Sequence, residues 1–264
     1  MTKLSDHQAG HYVKLMYIGD SGTGKTGSLV SLVKAGYKLK ILDLDNGLDA
    51  LRQFISHECP DNMDNVDYET LEDKVTMLSS GPITIPSAYI ASLKLMNEWS
   101  DGTKLSSGGS DTIFVLDSLT ALGRAAFHWA KSLAPNAKDP RQWYFAAQQS
   151  VESVIGMLIA KSFASNLIII SHINYKELQE GVHKGYPSAV GSAMGPVLPK
   201  YFNTMIQAEV IGTGTSTRRT IRTLPSSVID LKNPNPFEVL PEYPLGTGLA
   251  DIFEELKKLT GENE

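Results

Sequence analysis

The sequence predicts an α/β fold in which a mostly parallel, twisted sheet is flanked by helices and carries an antiparallel hairpin at one edge. Residues 12–34 have the pattern of a strand, a glycine-rich loop and a helix in direct succession. Residues 112–118 and 166–170 are continuous apolar runs, typical of strands buried on both faces. Two further strand-like segments, residues 205–211 and 217–224, flank a glycine-containing turn and indicate a hairpin. Strands that alternate with helices favour a parallel sheet covered on both faces.

The glycine-rich loop has the pattern G-x-x-x-x-G-K-[ST] of a phosphate-binding loop. An alternating strand leads into it, and the helix that follows is apolar on one side. Such a unit directs backbone N–H groups at a polyphosphate, and its glycines let the backbone approach the phosphates closely. The nucleotide-binding residues predicted on this basis are Gly19, Asp20, Ser21, Gly22, Thr23, Gly24, Lys25, Thr26 and Gly27.

Two side chains of this loop have predicted roles of their own. Lys25 is expected to reach the β- and γ-phosphates of a nucleoside triphosphate, and the Thr26 hydroxyl is expected to bind Mg²⁺. The loop therefore predicts a site for a magnesium nucleotide. The alternative is a glycine-rich turn in an ordinary strand–helix unit.

The remaining chain alternates between strand and helix patterns and has no internal repeat. Up to the strand at 112–118, the patterns predict a strand at 38–43, an acidic solvated loop or short irregular segment at 61–73, a helix at 87–99 and a flexible Gly- and Ser-rich connection at 101–110. Beyond it they predict helices at 119–132 and 141–163, a mobile loop at 175–202, an extended stretch at 225–244 and an amphipathic helix at 249–259.

Length and composition suit one large domain with short appended segments. The chain has 264 residues, of which 42% are hydrophobic, enough for a sizeable core. We expect an N-terminal tail at residues 1–11, a nucleotide-binding core at 12–232 and a C-terminal extension with the amphipathic helix at 233–264. The net charge of −5 argues against a globally basic nucleic-acid-binding surface, although it permits a local basic groove.

Several other classes of protein are disfavoured. No apolar segment has the length of a signal peptide or a membrane span, so we expect no membrane partner. Cys59 is the single cysteine, which rules out an internal disulfide and fits a reducing cytoplasm. His57 lies close to Cys59, but further ligands at metal spacing are lacking, so no zinc site is predicted.

Carboxylates that follow predicted strands supply candidate catalytic groups, because the carboxyl ends of parallel strands meet where ligands bind. Asp117 ends a buried strand and is predicted to hold Mg²⁺ together with Thr26; capping of the next helix is its alternative role. Asp45 is the preferred candidate for orienting or deprotonating the attacking water, and Asp43 is the second candidate. Turn formation is the structural alternative for Asp45.

His172 follows another apolar strand and is predicted to face the same crevice. A polar side chain there can sense the γ-phosphate and transmit its loss to the segment that follows. The alternative is a histidine that is hydrogen-bonded beneath that segment. The predicted catalytic residues are thus Lys25, Asp45, Asp117 and His172, and the predicted metal ligands are Thr26 and Asp117.

At these residues the chain resembles RecA-type ATPases. Residues 117–122 (Asp-Ser-Leu-Thr-Ala-Leu) look like the Walker B region, and residues 42–45 (Leu-Asp-Leu-Asp) are similar in position to the segment with the catalytic carboxylate. The family commonly has glutamate at that position, one methylene longer than Asp45. Residues 171–172 (Ser-His) match the position of a γ-phosphate-sensing polar residue, and residues 175–202 correspond to the DNA-binding loop.

More closely, residues 12–232 resemble the phage-encoded AAA-domain nucleotide-binding proteins, short RecA-like ATPases of which some are associated with single-strand annealing and recombination. Further matches are residues 139–143 (Asp-Pro-Arg-Gln-Trp), the segment 195–203 and residues 228–232 (Val-Ile-Asp-Leu-Lys). The resemblance implies a RecA-like P-loop fold with ATP and Mg²⁺ as cofactors. It also implies ATP hydrolysis in phage DNA recombination, annealing or replication, in the host bacterial cytoplasm.

The resemblance further implies single-stranded DNA as a partner, a homo-oligomer in the form of a ring or filament, and contacts with phage or host recombination and replication proteins. DNA contacts would come from residues 175–202, which combine lysines and tyrosines with two glutamates. A neighbouring subunit would supply a cation to the γ-phosphate. The candidate cations are Arg218, Arg219, Arg222, Lys200 and Lys232.

Two other functions stay open at this point. A nucleotide-gated interaction protein would bind ATP, hydrolyse it slowly or not at all, and switch protein partners; the shorter Asp45 and the net negative charge favour it. A phosphoryl-transfer enzyme for a small substrate has less support, because the sequence lacks an arginine-rich lid. Hydrolysis stimulated by single-stranded DNA would separate the leading hypothesis from both.

Overall fold

Strand β1 (Lys14–Gly19), which leads into the phosphate loop, lies inside an eight-stranded sheet in the computed structural model. The structure describes residues 12–259, so the predicted N-terminal tail and the last five residues lie outside the described range. The other strands are β2 (Lys38–Asp43), β3 (Val66–Thr70), β4 (Lys74–Leu78), β5 (Gly81–Ile85), β6 (Gly109–Asp117), β7 (Ser165–Ser171), β8 (Ile173–Gln179), β9 (Val182–Pro187), β10 (Thr204–Ile211), β11 (Arg218–Arg222) and β12 (Glu242–Pro244).

Seven α-helices connect these strands within the described residues. They are α1 (Lys25–Ser28), α2 (Val30–Lys34), α3 (Asp49–Glu58), α4 (Ala88–Asn97), α5 (Leu119–Leu133), α6 (Arg141–Ile159) and α7 (Gly248–Lys258). The helix predicted after the phosphate loop therefore begins at Lys25 and is divided into two short helices at Leu29. In this part of the chain, no helix is long and apolar enough to cross a membrane.

The strand order of the central sheet is β12-β11-β10-β1-β7-β6-β2-β3. The six strands from β10 to β3 are parallel, and β11 and β12 continue the sheet with antiparallel pairing. The predicted α/β class is confirmed, as is the antiparallel hairpin at one edge. The phosphate-loop strand β1 lies between β10 and β7, with β7 separating it from the Asp117 strand β6.

Alternating side chains of the parallel strands bury two apolar layers, one on each face of the sheet. In β1, Met16 and Ile18 pack on the face covered by α4, α5 and α6. Leu15 and Tyr17 pack on the opposite face, with side chains from α2, α3 and α7. All four side chains are fully buried, so the strand that carries the phosphate loop is held rigidly from both sides.

Residues 61–73, expected to form an acidic solvated loop or short irregular segment, contain strand β3 of the central sheet. β3 pairs in parallel with β2, with Lys40 opposite Asp67. The prediction was wrong here because β3 is an edge strand with mostly exposed side chains, so polar residues replace the apolar run of a buried strand. The short hairpin β4–β5, also missed, follows β3 in the chain and forms a separate two-stranded sheet.

Residues 175–202 are not one mobile loop, because their first half forms the β8–β9 hairpin. Tyr175 lies opposite Gly185 in this hairpin, and the Gly185 N–H donates to the Val228 carbonyl (2.9 Å). A β-carbon on Gly185 would lie 2.3 Å from Ile229 Cδ1. Glycine therefore permits close packing at this position, where the sequence pattern indicated flexibility.

The expected C-terminal extension adds both a strand and a helix to the sheet domain. β12 pairs with β11, which places Tyr243 opposite Ile221. α7 packs beneath α2, where Phe253 and Tyr37 meet edge to face with ring centroids 5.9 Å apart. Residues after 232 thus belong to the same sheet and core as the strand that carries the phosphate loop.

Candidate nucleotide-binding site

The phosphate loop leaves β1 at Gly19 and enters α1 at Lys25. Gly22 (φ 78°) and Gly24 (φ 94°) have left-handed backbones, which glycine adopts without steric cost. A β-carbon on Gly19 would lie 2.6 Å from the carbonyl oxygen of Ala208 in the neighbouring strand. The motif glycines thus satisfy conformational and packing requirements that a side chain would violate.

The last glycine of the predicted set has a packing role as well. A β-carbon on Gly27 would lie 2.8 Å from Phe54 Cε2, so this glycine lets α1 approach α3. Within the loop, the Thr23 hydroxyl donates to the carbonyl of Asp20 (2.8 Å). The loop is therefore a braced turn whose shape is set by its own side chains and by the helix beside it.

Lys25 is folded into the loop that precedes it. Its Nζ donates to the carbonyl oxygens of Gly19 (2.8 Å) and Asp20 (2.9 Å), and the residue is 6% exposed. Burial lowers the pKa of Lys25, while Asp117, Asp20 and Asp45 act in the opposite direction. A cation surrounded by carbonyl oxygens and held near three carboxylates is well placed to meet polyphosphate oxygens.

Thr26 connects the phosphate loop to the end of β6. Its hydroxyl donates to Asp117 Oδ2 at 2.6 Å, although the two residues are 91 positions apart in the sequence. Asp117 is 3% exposed, and burial raises the pKa of its carboxyl to about 6; the Thr26 hydrogen bond acts against this shift. Helix capping, the alternative role for Asp117, falls to Ser118, whose Oγ accepts the N–H of Ala121 (3.3 Å).

The donor set at this point fits Mg²⁺. A hydroxyl and a carboxylate oxygen in direct contact are hard oxygen ligands, and Mg²⁺ is usually held by one or two carboxylates together with phosphates and water. Among residues 12–259, no group of three or more His, Cys, Asp or Glu side chains could hold a metal ion by themselves. Thr26 and Asp117 would therefore be the protein's contribution to a metal that is shared with a polyphosphate.

Asp43 is the last residue of β2 and Asp45 lies two residues beyond it, but their environments differ. Asp43 is 1% exposed; its Oδ1 accepts the N–H groups of Asp45 (3.2 Å) and Gly47 (3.3 Å), and its Oδ2 accepts the Thr70 hydroxyl (3.2 Å). Burial raises the pKa of Asp43, and these hydrogen bonds oppose the rise. The turn is thus held by Asp43, and Asp45 is left to face the crevice.

Asp45 and His172 are brought together across the crevice. His172 Nε2 lies 3.5 Å from Asp45 Oδ2, and about one third of each side chain is exposed. The interaction with His172 lowers the pKa of the Asp45 carboxyl, although burial opposes the change. The structure therefore places next to each other two side chains that the sequence could only assign separately to strand ends.

Two residues of α5 contribute to this region without having been predicted. Thr120 Oγ1 accepts the N–H of His172 (3.1 Å) and donates to the carbonyl of Ser188 (3.0 Å). Arg124, one turn later, lies between two cavities of about 500 and 420 Å³ that both reach Asp45. The sequence could have indicated that these two side chains lie together, because Thr120 and Arg124 are four positions apart in a predicted helix and therefore share one side of it.

The β8–β9 hairpin contacts the phosphate loop directly, since the Tyr175 hydroxyl donates to Asp20 Oδ2 (3.2 Å). The lysines of residues 175–202 all have partners within the chain. Lys184 pairs with Asp230 (2.8 Å) and Lys200 with Glu152 (3.3 Å), while Lys176 donates to the Ser192 carbonyl. Any ligand of these cations would have to compete with those partners.

The five cations that could act on a neighbouring subunit's γ-phosphate differ in whether they have partners within their own chain. Four have intramolecular partners: Arg218 with Glu242 (3.2 Å), Arg222 with Glu209 (3.4 Å), Lys200 with Glu152 (3.3 Å), and Lys232 with the carbonyls of Pro199 and Phe202. Arg219 has neither an ion pair nor a side-chain hydrogen bond within the described part of the chain. This lack of a carboxylate partner distinguishes Arg219 from the other two arginines of β11.

The parallel sheet, the phosphate loop at the end of an inner strand, and the buried carboxylate bonded to that loop define a P-loop fold of the α/β class. A fold of this class is suited to nucleotide binding. The sequence profile of the AAA domain family matches residues 11–235, and the chain belongs to that family.

No curated protein sequence matches the chain. Similar solved structures include a RadB recombinase, at 16% identity over 83% of both chains with a TM-score of 0.47. A flagellar accessory protein, FlaH from Methanocaldococcus jannaschii, has 12% identity over 87% of this chain and 83% of its own, with a TM-score of 0.45. A KaiC-like protein from Pyrococcus horikoshii OT3 has 9% identity over 83% and 80%, with a TM-score of 0.39.

Asp117→Asn is expected to stabilise the ligand-free protein at neutral pH. The folded-state pKa of about 6 exceeds that of the unfolded chain, so the folded state holds this proton more tightly. Stability from the protonated carboxyl is complete below pH ~4 and is lost as the pH rises through 6. A shift of this size corresponds to about 3 kcal/mol. We therefore expect the variant to gain about 1–3 kcal/mol in unfolding free energy at pH 7.5 and almost nothing near pH 4.

Urea unfolding between pH 4 and pH 8, without divalent cations, measures this difference. The matched control is Asp61→Asn, because Asp61 is exposed and should leave the stability nearly unchanged throughout. A difference between Asp117→Asn and the unmodified protein that does not vary with pH would contradict the assignment of a costly buried charge to Asp117.

Proposed function

We propose that the protein is a Mg²⁺-dependent ATPase of the RecA-like type that acts in phage DNA recombination, single-strand annealing or replication. The 2.6 Å hydrogen bond between Thr26 and Asp117 carries the proposal. It joins the phosphate loop to a strand end that offers a buried, desolvated carboxylate. Membership in the AAA domain family supports nucleotide binding, and ATP is the nucleotide proposed.

In the proposed reaction, Thr26 and Asp117 hold the metal, which would offset the charge of the phosphate oxygens. Lys25 supplies a cation to the β- and γ-phosphates in exchange for its contacts with the Gly19 and Asp20 carbonyls. Because its surroundings are largely desolvated, that charge acts more strongly than it would in water.

Asp45 is assigned to the attacking water and His172 to sensing the γ-phosphate. The lowered pKa of Asp45 keeps its carboxyl ionised but makes it a weak base. We therefore assign Asp45 to orienting the attacking water more than to removing its proton. His172, 3.5 Å away, fixes the Asp45 carboxylate. Its backbone is tied through Thr120 to Ser188, which offers a path from the γ-phosphate to the segment after β9.

Single-stranded DNA is the proposed partner of residues 175–202. The contact between Tyr175 and Asp20 supports coupling, because it ties the β8–β9 hairpin to the phosphate loop. The lysines of this segment would exchange their carboxylate and carbonyl partners for DNA phosphates, as Lys184 would exchange Asp230. A DNA contact of this kind should weaken as the salt concentration rises.

A homo-oligomer, as a ring or filament, is proposed from the β4–β5 hairpin. Val75 (68% exposed) and Met77 (76%) lie on one face of this hairpin, while Ile83 (42%) and Ile85 (45%) lie on the other. A two-stranded hairpin with apolar side chains on both faces is poorly stabilised in water, and such surfaces mark interfaces. The hairpin adjoins the cavity that reaches Asp45, so a second subunit there would lie beside the proposed catalytic groups.

A nucleotide-gated interaction protein is the second candidate. The lowered pKa of Asp45 favours it, since a weak base implies slow hydrolysis. In that case the Tyr175–Asp20 contact would report nucleotide occupancy to a protein partner instead of DNA.

Lys25→Ala should abolish both ATP binding and hydrolysis, because it removes the cation in the phosphate loop. Asp45→Asn should retain ATP affinity but slow hydrolysis by about 100-fold, since only the group that orients the water is changed. Mg²⁺-dependent phosphate release, measured with and without single-stranded DNA, gives the rates, and filter binding gives the affinities. Lys34→Ala is the matched surface control, because Glu58 is the one ion-pair partner of Lys34 among residues 12–259.

DNA stimulation in the unmodified protein and the Lys34→Ala control would support a DNA-coupled ATPase. ATP binding with slow, DNA-independent turnover would favour the nucleotide-gated switch. Undiminished hydrolysis by Lys25→Ala would be incompatible with both.

Met77→Glu should reduce self-association, because a charge placed on an apolar contact must be desolvated. We expect the apparent molecular mass in sedimentation velocity, with Mg²⁺ and ATP present, to shift toward the monomer. The control is Leu133→Glu, which places a charge on an exposed apolar residue outside the hairpin, at the end of α5. This variant should leave the mass unchanged. An unmodified protein that stays monomeric at all concentrations would refute the oligomer.

A further inference from the structure

The sheet order divides the surroundings of the phosphate loop into two sides. On one side of β1 lie β7, β6 and β2, whose ends carry His172, Asp117 and Asp45. These groups surround the terminal phosphate in the function proposed above. On the other side lie β10, β11 and β12, which form the antiparallel edge. A nucleotide with its γ-phosphate on the first side must direct its sugar and base toward the second.

Two side chains from that second side rest against the phosphate loop. A β-carbon on Gly24 would lie 2.6 Å from Leu245 Cδ2 and 3.6 Å from Arg219 Cδ. The Leu245 N–H donates to the Arg219 carbonyl (3.2 Å), which fixes the two residues beside each other. Gly24 directly precedes Lys25, so both side chains border the part of the loop next to this lysine.

Arg219 differs from its neighbours in β11 in what it binds. Arg218 and Arg222 share one face of the strand and pair with Glu242 and Glu209. Arg219 points to the opposite face, is exposed, and has no ion pair or side-chain hydrogen bond among residues 12–259. A planar guanidinium without a carboxylate partner is well suited to stack on an aromatic ring.

We propose that Leu245 and Arg219 form the nucleoside half of the binding site. Leu245 supplies an apolar wall for the base, and the Arg219 guanidinium stacks on the face of the base. This inference rests on the proposed function, since it takes the phosphate position from the loop. Arg219 would then contact the nucleotide bound by its own subunit, and not the γ-phosphate of a nucleotide in a neighbouring subunit.

The experiment compares two ligands that share the phosphate chain and differ in the nucleoside. Isothermal titration with Mg·ATP and with Mg·tripolyphosphate measures both affinities for each variant. Arg219→Gln and Leu245→Ala should each weaken Mg·ATP about tenfold, because each removes one contact to the base. Affinity for Mg·tripolyphosphate should change less than about twofold. Lys34→Ala, the surface control used above, should leave both affinities unchanged.

Arg219→Lys separates stacking from charge, because it keeps the cation and removes the planar group. We expect it to bind Mg·ATP as weakly as Arg219→Gln. Full affinity in Arg219→Lys, equal losses for ATP and tripolyphosphate, or unchanged ATP binding in Arg219→Gln and Leu245→Ala would each overturn the nucleoside site. Those results would leave the phosphate site intact. An unmodified protein that binds neither ligand would instead contradict the proposed function.

Discussion

The hydrogen bond between Thr26 and Asp117 fixes the geometry of the candidate nucleotide-binding site. It joins a loop near the N-terminus to a strand end 91 residues later, and it places a carboxylate where solvent is almost excluded. Burial of that carboxylate is unfavourable for the ligand-free fold, which the raised pKa of Asp117 expresses. The apolar layers on both faces of β1 and β6 hold the two residues together despite this cost.

The sheet topology gives this contact its functional meaning. Separate strands bring Asp117, Asp45 and His172 to one side of the phosphate loop, and the antiparallel edge brings Arg219 and Leu245 to the other. The loop is thereby enclosed by charged groups on one flank and by an apolar and planar pair on the opposite flank. Such an arrangement matches the chemical asymmetry of a nucleoside triphosphate, with charge at one end and an aromatic base at the other.

The sequence predicted the parts of this arrangement that have strong local signals. The phosphate loop has a specific pattern, and the inner strands are largely apolar, so β2 was placed to the residue and β7 to within one residue at each end. The predicted β6 began three residues late, because its first residues are polar. The edge strand β3 was missed because exposed edge strands carry polar side chains. Leu245 was missed because the pairing of β11 with β12 brings it to Gly24. No local sequence pattern indicates a contact between residues 221 positions apart. The Asp45–His172 contact likewise depends on tertiary structure.

Proton release on nucleotide binding is a sharp test of a metal held by Asp117. A metal bound by Asp117 requires the ionised carboxylate, so binding must displace the proton that the ligand-free site retains near pH 6. Titration calorimetry with Mg·ATP in buffers of different ionisation enthalpy counts these protons. We expect net proton release on binding near pH 6, and a release that decreases steadily as the pH is raised to 8. Binding at pH 6 without proton release would contradict the placement of the metal at Asp117.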